Sequence, residues 1–402
     1  MKILIPYQRV LRGGVTSFSF LLIRELLRSV DEIVVLLPKD EISFFETHVS
    51  PSPRLTLVAA VSLGDVRRIP GAGRLEIWLN HLRVRRLIER RGLTHCLCLD
   101  LGMFVSTVNC GLRWPIPVAL VFHDLYWNLY QEGGKGPDRA QLGEWYAKLV
   151  ARADVAIAVS RHTHEELLAC VPDLSAKLRC VPTAAEVPAV PALGPRSSMT
   201  RADGCVFYYP AAAAGNKNHL LLFKAVKALT DKGLRLKVVL TGPGTAALCR
   251  DRDDGGALRA DSARRYFLEN RATLEGCVAA LGYVDQEQVE ACYADCDCVV
   301  LPSLYEGYGL PLTEALARGI PVICSDIPGF KEQTALYRCA DWVRFFPSGD
   351  GAALASRLEE MLKAPASRIS PEEVRERFKA WTPEDFSKGY IESLESAARV
   401  VS

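Results

Sequence analysis

The sequence predicts an α/β protein built from two Rossmann-like, doubly wound parallel-sheet domains that face each other across a cleft. Apolar strand patterns alternate with helical patterns, and this series occurs twice. A segment rich in Pro, Ala and Ser without periodicity separates the two series at residues 183–203. The length of 402 residues also exceeds one ordinary hydrophobic core and fits two domains.

The first domain is predicted to span residues 1–185. Its first strand is Lys2 to Pro6, and Gly13-Gly14 opens a helix with an apolar stripe at helical spacing, formed by Val15, Phe18, Leu22 and Leu26. Further strands are predicted at residues 32–37, 95–99, 118–122 and 154–159.

The second domain is predicted at residues 204–380, after a linker at residues 186–203. Its strands are predicted at residues 205–209, 236–241, 278–281, 298–301 and 321–324, with helices at 219–230 and 286–294. Residues 381–402 are predicted to form a C-terminal helix that crosses back to the first domain.

The most informative segment runs from Leu301 to Asp326, where Glu306 and Glu314 bracket seven residues that include Gly307, Gly309 and Pro311. An apolar strand ends before it, glycines favour a sharp turn, and proline suits the start of a helix predicted at residues 312–317. Amides of such a turn and an exposed helix N-terminus can bind an anion. The alternative is a simple connection with a solvated Glu306 and a Glu314 that complements the helix dipole.

Other candidate residues also follow predicted strands, at the edge where doubly wound sheets bind ligands. The backbone of Gly13-Gly14 can approach a diphosphate, or it forms a plain tight turn. His123, followed by Asp124, is either a hydrogen-bonding group at the site or a structural histidine. Lys217 can pair with phosphates or be a solvated lysine, and Gly242 lies in a generic loop.

Composition excludes several classes of protein. The net charge of +2 gives no electrostatic case for nucleic acid, and the N-terminal apolar run of four residues is too short for a signal peptide, so a cytoplasmic protein is expected. Thirteen cysteines without a CxxC pair indicate reduced thiols rather than a zinc site. The DxD triplets at 251–253 and 295–297 are explained by chance, and residues 133–136 lack the P-loop pattern.

Eight arginines occur between residues 67 and 91, with apolar residues at helical spacing among them, namely Leu75, Trp78, Leu79 and Leu82. Two interpretations stay open. The segment is either a solvated helix face or a peripheral contact with anionic lipid at the inner face of a membrane.

The motifs resemble those of the retaining glycosyltransferases of family 4, the glycosyl transferases group 1, which have the two-domain GT-B architecture. The matching segments cover both domains and are 13–15, 123–125, 217–219, 282–284 and 306–322, of which the last is the most specific. The sequence departs from the family pattern at Ala211 and Asn216, where many relatives have a second diphosphate-binding arginine. Arg9 or Arg12 is a possible substitute.

The resemblance implies a role for each matching position. Glu306, His123 and Lys217 would be catalytic, with Glu306 orienting the donor sugar, His123 touching it and Lys217 neutralising the diphosphate. The donor would also be bound by Gly13, Gly14, Gly242, Tyr283, Val284, Gly307, Tyr308, Gly309, Leu310 and Glu314. Among these, Glu314 would hold the ribose, and Tyr308 with the loop at residues 125–135 would shape selectivity.

The implied reaction is transfer of a sugar, with retention, from a nucleoside-diphosphate sugar to a glycan or a lipid-linked glycan, without a metal or another cofactor. Two alternatives stay open. In the first, the chain is a GT-B enzyme of another reaction type, such as a nucleotide-sugar epimerase. In the second, it is a catalytically idle subunit that binds nucleotide sugars.

Overall fold

The computed structural model describes residues 1–7, 13–63, 72–125, 139–188, 204–250 and 261–401. By its internal contacts the chain forms two compact units. The N-terminal unit comprises Met1–Ala184 together with Pro383–Ser402, and the C-terminal unit comprises Ala185–Thr382. Most of the predicted linker, residues 189–203, lies outside the described residues.

The N-terminal unit contains a seven-stranded sheet in its described residues, with the order β3-β2-β1-β4-β5-β6-β7 and parallel pairing throughout. Its strands are β1 (Lys2–Pro6), β2 (Glu32–Leu37), β3 (Leu55–Ala59), β4 (His95–Cys98), β5 (Val118–Phe122), β6 (Val155–Ala158) and β7 (Leu178–Cys180). The central strands are apolar and buried because helices cover both faces of a doubly wound sheet.

The helices of the N-terminal unit are α1 (Gly14–Ser29), α2 (Ile42–His48), α3 (Ala72–Arg91), α4 (Gly102–Asn109), α5 (Arg139–Val150), α6 (Arg161–Cys170) and the C-terminal helix α16 (Pro383–Val401). Helix α16 packs on α1, where the rings of Phe386 and Tyr390 meet Phe18 at centroid distances of 5.5 and 6.1 Å. Gly389 allows this approach, because a Cβ there would lie 2.8 Å from Cγ1 of Val181. The end of the chain is therefore part of the N-terminal unit's core.

The C-terminal unit contains a six-stranded sheet in its described residues, with the order β10-β9-β8-β11-β12-β13 and parallel pairing throughout. Its strands are β8 (Cys205–Pro210), β9 (Leu236–Thr241), β10 (Val278–Gly282), β11 (Cys298–Leu301), β12 (Val322–Ser325) and β13 (Val343–Phe346). Both sheets confirm the predicted α/β class of two doubly wound parallel-sheet domains.

The helices of the C-terminal unit are α7 (His219–Asp231), α8 (Thr245–Leu248), α9 (Asp261–Glu269), α10 (Arg271–Leu274), α11 (Gln286–Asp295), α12 (Leu310–Ala317), α13 (Pro328–Leu336), α14 (Gly351–Lys363) and α15 (Pro371–Phe378). They enclose an apolar core that includes Phe207, Leu222, Val300 and Leu316. Ala185 belongs to this unit, where its N–H donates to the hydroxyl of Tyr337 at 3.4 Å.

The sequence prediction missed three strands, β3, β7 and β13. All three lie at a sheet edge. These strands are only half-buried, and β3 has no fully buried residue. Each also contains a polar residue, Thr56, Arg179 or Arg344, so its apolar pattern is weaker than that of most central strands. The predicted central strands agree with the structure to within one residue at each end.

In the part of the chain that the structure describes, no helix is both long and apolar enough to cross a membrane.

Candidate functional site

The glycine turn after β11 forms the start of α12. Gly309 precedes the helix with φ +94°, a conformation that residues with a Cβ rarely adopt. A Cβ at this position would also lie 2.5 Å from Cε1 of Phe330. Helix α12 begins at Leu310, two residues before the predicted start, and Pro311 lies in its first turn as expected.

A residue that the sequence analysis missed holds this turn in place. The side-chain Nε2 of Gln333, on α13, donates to the carbonyl oxygens of Tyr308, Gly309 and Gly329, the last two at 3.3 and 3.2 Å. Gln333 is fully buried, and Gly329 lets α13 approach, because a Cβ there would lie 3.0 Å from the carbonyl oxygen of Glu306. No local pattern identifies a glutamine 24 residues after the turn as its support.

Glu306 and Lys217 lie together, although they are 89 residues apart in the sequence. The Nζ of Lys217 is 2.6 Å from both carboxylate oxygens of Glu306, and the Ser303 hydroxyl donates to Oε1 at 2.7 Å. The side chains of Lys217 and Glu306 are only 21% and 11% exposed, so the charges are partly withdrawn from water. Tyr209 fixes the backbone of Lys217 by donating its hydroxyl to the carbonyl oxygen at 2.6 Å.

Asn216, at one of the two positions where many relatives have a second arginine, has a structural function in this chain. The side-chain Nδ2 of Asn216 donates to the carbonyl oxygen of Tyr305 at 3.0 Å. The backbone carbonyl oxygen of Asn216 accepts from the N–H of Leu304 at 2.7 Å. Asn216 therefore joins the loop after β8 to the loop after β11 and supplies no second cation. Arg9 and Arg12, the suggested substitutes, lie outside the described residues.

Glu314 is one turn into α12 and half-buried. Its Oε2 accepts from the Tyr293 hydroxyl at 3.0 Å, and burial raises its pKa, while nearby Arg318 opposes the rise. Arg318 itself pairs with both carboxylate oxygens of Glu290 at 2.5 and 2.9 Å. The carboxyl group of Glu314 is thus held in a fixed position by Tyr293, and its other oxygen lies free of any described hydrogen bond.

Gly242 follows β9, and Tyr283 and Val284 follow the neighbouring strand β10. The Gly242 N–H donates to the carbonyl oxygen of Gly282 at 2.7 Å, and a Cβ on Gly242 would lie 2.6 Å from the carbonyl oxygen of Ala211. Gly242 is therefore required for packing, and its amide is used within the fold. Tyr283 is 47% exposed and Val284 is half-buried, and their role in donor binding stays a prediction.

The prediction that the Tyr308 side chain shapes donor selectivity needs a correction. Its ring is 5% exposed and faces the interior, where burial raises the pKa of the phenol well above its usual range. Only the backbone of Tyr308 is left to take part in a binding turn. The other predicted selectivity segment, residues 126–135, lies outside the described residues.

In the N-terminal unit, His123 follows β5 and is fixed by two contacts. Its Nε2 is 2.9 Å from the carbonyl oxygen of Leu99, and its ring packs edge-on to Phe18 at 4.7 Å. Burial lowers the pKa of His123 to about 4, although the hydrogen bond to Leu99 opposes this shift. A neutral ring whose Nε2–H donates to Leu99 leaves Nδ1 as an acceptor, so Nδ1 of His123 can accept a hydrogen bond from a hydroxyl group but cannot donate one.

Gly13 and Gly14 are both exposed at the N-terminus of α1. Gly13 has φ +134° and no atom within 4 Å of where a Cβ would be, so the backbone conformation alone requires glycine.

No group of three or more His, Cys, Asp or Glu side chains suited to a metal ion occurs among the described residues. All thirteen cysteines are free thiols, and the shortest described sulfur–sulfur approach, between Cys96 and Cys98, is 3.8 Å.

Two parallel-sheet Rossmann-like units with motifs at the carboxyl ends of their strands define the GT-B class of glycosyltransferases. The model described as Glycosyltransferase Family 4 matches residues 12–187, and the one described as Glycosyl transferases group 1 matches residues 196–381. The chain belongs to this family of glycosyltransferases.

Solved structures of low identity share the fold. Sucrose-phosphate synthase from Thermosynechococcus elongatus matches with a TM-score of 0.73 and 18% identity over 100% of both chains. Anabaena HepE in complex with UDP and glucose matches with a TM-score of 0.70 and 16% identity, over 98% of this chain and 100% of that one.

Among curated proteins, the O-antigen chain mannosyltransferase B of Escherichia coli is 45% identical over 65 residues. The aligned segment covers 16% of this chain and 17% of the relative's length.

Proposed function

We propose that the protein transfers a hexosyl group from a nucleoside-diphosphate sugar to a glycan or lipid-linked glycan during the synthesis of a surface polysaccharide. The observation that carries this proposal is the cluster of Lys217, Glu306 and Ser303 beside the glycine turn that begins α12. A relative with a segment of 45% identity is named as a mannosyltransferase of the O-antigen chain, and the HepE structure contains UDP and glucose.

Each part of the C-terminal unit has a task in donor binding under this proposal. Glu314 accepts the ribose hydroxyls, because Tyr293 holds its carboxyl group in place. The exposed ring of Tyr283 contacts the base. The backbone amides between Gly307 and Leu310 meet the β-phosphate and the sugar, where the helix N-terminus favours negative charge.

Lys217 and Glu306 have different functions at the reacting centre, one toward the diphosphate and the other toward the sugar. Departure of the nucleoside diphosphate places negative charge on a phosphate oxygen, and the ammonium of Lys217 stabilises that charge. The same ammonium lies 2.6 Å from the carboxylate of Glu306. A bound diphosphate therefore shares Lys217 with Glu306, and the carboxylate is left to orient sugar hydroxyls rather than to act as a nucleophile.

The remaining features of the reaction are proposed from the family resemblance. The acceptor attacks the anomeric carbon from the face that the diphosphate leaves, so the anomeric configuration is retained. No metal is needed, since Lys217 and the amides provide the positive charge. Proton NMR of the first-formed product tests retention, and full turnover in the presence of EDTA tests metal independence.

Nucleotide binding and turnover test the central proposal. UDP, GDP and dTDP and their hexose derivatives are screened by thermal shift, and a ligand at 100 times its dissociation constant adds about 2.7 kcal/mol of stability. We expect one donor family to stabilise the chain and to be hydrolysed or transferred. Nucleotide binding without any turnover would favour an idle binding subunit, and epimerised donor without transfer would favour an epimerase.

A contact with anionic membrane is proposed at α3, which has an unusual distribution of side chains. Its buried residues include the polar Glu76, Asn80 and His81, whereas Leu75 and Trp78 are 50% and 48% exposed. Five arginines on the same helix are also exposed, namely Arg74, Arg83, Arg85, Arg86 and Arg90. An exposed tryptophan and leucine among arginines suits the interface of a bilayer that contains anionic lipid.

Flotation with liposomes tests this contact. The wild type is expected to float with vesicles of phosphatidylglycerol and phosphatidylcholine and to stay behind with phosphatidylcholine alone. The double variant Leu75→Ser/Trp78→Ser should lose flotation, while Leu281→Ser, an equally exposed leucine in the C-terminal unit, should retain it. Equal partitioning on both vesicle types would remove the membrane contact and leave a solvated helix face.

A further inference from the structure

Tyr209 connects the two loops that carry Lys217 and Glu306. It lies near the end of β8 and is 1% exposed. Its hydroxyl donates to the carbonyl oxygen of Lys217 at 2.6 Å, and the same oxygen lies 3.4 Å from Oγ of Ser303. Ser303, also 1% exposed, donates to Oε1 of Glu306 at 2.7 Å. One buried phenol therefore contacts both sides of the charged pair, the backbone of the lysine and the hydroxyl group that bonds the carboxylate.

The hydroxyl groups of Tyr209 and Ser303 have one proton each, and both protons are already used. Tyr209 donates its proton to Lys217, and Ser303 donates its proton to Glu306. The separation of 3.4 Å between the two oxygens is longer than an ordinary O–H···O hydrogen bond, about 2.5–3.0 Å. The phenol oxygen thus accepts no strong hydrogen bond from Ser303 in this arrangement, and its lone pairs stay available.

The ring of Tyr209 is held by packing, and its hydroxyl keeps its proton. The ring centroid lies 4.9 Å from that of His219, whose two nitrogens are buried without a hydrogen-bond partner among the described residues. Burial raises the pKa of the Tyr209 phenol well above its usual range, and the nearby carboxylate of Glu306 adds to the rise, while the contact with Ser303 opposes it. Tyr209 is therefore a neutral donor at pH 7.

Donor binding, as proposed above, changes the partners of this group. When Glu306 turns towards the hydroxyl groups of the sugar, the Ser303 hydroxyl loses its acceptor, and a buried hydroxyl without a partner is unfavourable. A small rotation of the Ser303 side chain brings the Tyr209 oxygen, now 3.4 Å away, within hydrogen-bond distance. The bond from Tyr209 to the backbone of Lys217 is kept, so only the ammonium end of that side chain moves towards the diphosphate.

We infer that Tyr209 is a positioning residue of the reaction, which holds the backbone of Lys217 and accepts from Ser303 when Glu306 turns to the sugar. This effect on transfer rests on the proposed glycosyl transfer, whereas the fixing of Lys217 rests on the contacts alone. A merely structural tyrosine would stabilise the fold without regard to Lys217. A positioning residue changes turnover through the ammonium that it places.

The first test compares two neighbouring tyrosines of β8. Tyr209→Phe keeps the ring and removes the hydroxyl, and kcat should fall about five- to tenfold. KM for the donor should change by less than about twofold, because charge on the leaving diphosphate grows only as its bond to the sugar breaks. Tyr208→Phe is the matched control, because its buried hydroxyl bonds Thr241 at 2.7 Å on the opposite face of the strand. This control should keep the kcat of the wild type.

A double-variant cycle separates positioning from a general loss of structure. In Lys217→Ala the ammonium that Tyr209 positions is absent. Adding Tyr209→Phe to that variant should therefore lower turnover by less than about twofold. An equal loss of about five- to tenfold in both backgrounds would show that the hydroxyl acts on the fold as a whole, and it would overturn the inference.

Acetylation of lysines with N-hydroxysuccinimidyl acetate, read by mass spectrometry, tests the position of Lys217 without turnover. Loss of one hydrogen bond to its backbone should make Lys217 react about fivefold faster in Tyr209→Phe than in the wild type. Lys232, which is 60% exposed, should react equally in both. The inference is overturned if Lys217 reacts equally in the wild type, Tyr208→Phe and Tyr209→Phe. Faster labelling of Lys217 in Tyr209→Phe, with a wild type that transfers no sugar, would keep Tyr209 as the residue that positions Lys217 and overturn the proposed transfer instead.

Discussion

The carboxyl edges of the two sheets differ in how they are prepared for a ligand. In the C-terminal unit, Lys217, Glu306 and Ser303 already bond one another, and Gln333 holds the glycine turn from behind. In the N-terminal unit, His123 is held by the carbonyl oxygen of Leu99 and the ring of Phe18, and burial keeps its ring neutral near pH 7. The same fold therefore presents a charged pair of side chains at one edge and a neutral histidine at the other.

The two edges should therefore differ in how strongly a substitution changes turnover. Charged groups with low exposure give large effects when one partner is removed, because the other is left uncompensated. Neutral hydrogen bonds give smaller effects, about 0.5–1.5 kcal/mol each. Substitutions in the C-terminal unit should thus change turnover more than substitutions in the N-terminal unit.

The largest effect is expected for Lys217→Ala. Loss of the ammonium removes the charge that stabilises the departing diphosphate, and turnover should fall about 10²–10³-fold, or about 3–4 kcal/mol. Initial rates of sugar transfer or donor hydrolysis measure the loss. Lys232→Ala is the control, since Lys232 is 60% exposed, and it should leave rates unchanged. Unchanged turnover in Lys217→Ala would show that the site has been assigned to the wrong residues.

Gly309→Ala should destabilise the C-terminal unit. The added Cβ meets the ring of Phe330, and φ +94° is strained for alanine, which costs about 1–3 kcal/mol. Thermal unfolding should shift down by about 2–4 °C for each kcal/mol in a domain of this size. Gly276→Ala is the matched control, because a Cβ there meets nothing within 4 Å. Equal shifts for the two variants would contradict the constraint on the turn.

Stability should fall on the acid side because of His219, which is 1% exposed. Burial lowers its pKa to about 3 in the folded chain, against about 6.5 when unfolded. Below pH 6.5 the unfolded state binds a proton that the folded state does not, so stability is complete above pH 6.5 and is lost as the pH falls towards 3. The loss from this residue is about 2 kcal/mol at pH 5.

Urea unfolding at pH 7, 6 and 5 measures this slope. The variant His219→Phe keeps an aromatic ring beside Tyr209, whose ring centroid lies at 4.9 Å, but removes the titrating group. Its stability should therefore fall less steeply than that of the wild type between pH 7 and pH 5. Identical slopes would mean that His219 does not titrate between the two states in this range.

The smallest effect is expected for His123→Phe. The variant keeps a ring against Phe18 but loses Nδ1 and the hydrogen bond from Nε2 to Leu99. The substrate then loses one neutral hydrogen bond, about 1 kcal/mol. Transfer should fall about fivefold, and His123→Gln, which retains an acceptor oxygen, should recover part of it. A loss as large as that of Lys217→Ala would mean that His123 has a charged or proton-transferring function, and the contrast between the two edges would be lost.

Local sequence patterns predicted the central strands, the glycine turn and its helix, and the candidates Glu306, Glu314, His123 and Lys217. These features are encoded by residues close together in the chain, through apolar runs, glycines and a proline. The same patterns failed at the edge strands β3, β7 and β13, which are half-buried and contain the polar residues Thr56, Arg179 and Arg344. Tyr308 was also expected to shape selectivity, whereas its side chain is buried.

Contacts between residues far apart in the sequence became visible only in the tertiary structure. The pairing of Lys217 with Glu306 and the support of the turn by Gln333 both depend on contacts over tens of residues. The buried face of α3 is the clearest case. The sequence left open whether this helix is solvated or meets lipid, and the structure buries the polar Glu76 and Asn80 while Leu75 and Trp78 are exposed. Packing against the rest of the unit decides which face is covered, because polar groups can be buried wherever the neighbouring backbone supplies their hydrogen bonds.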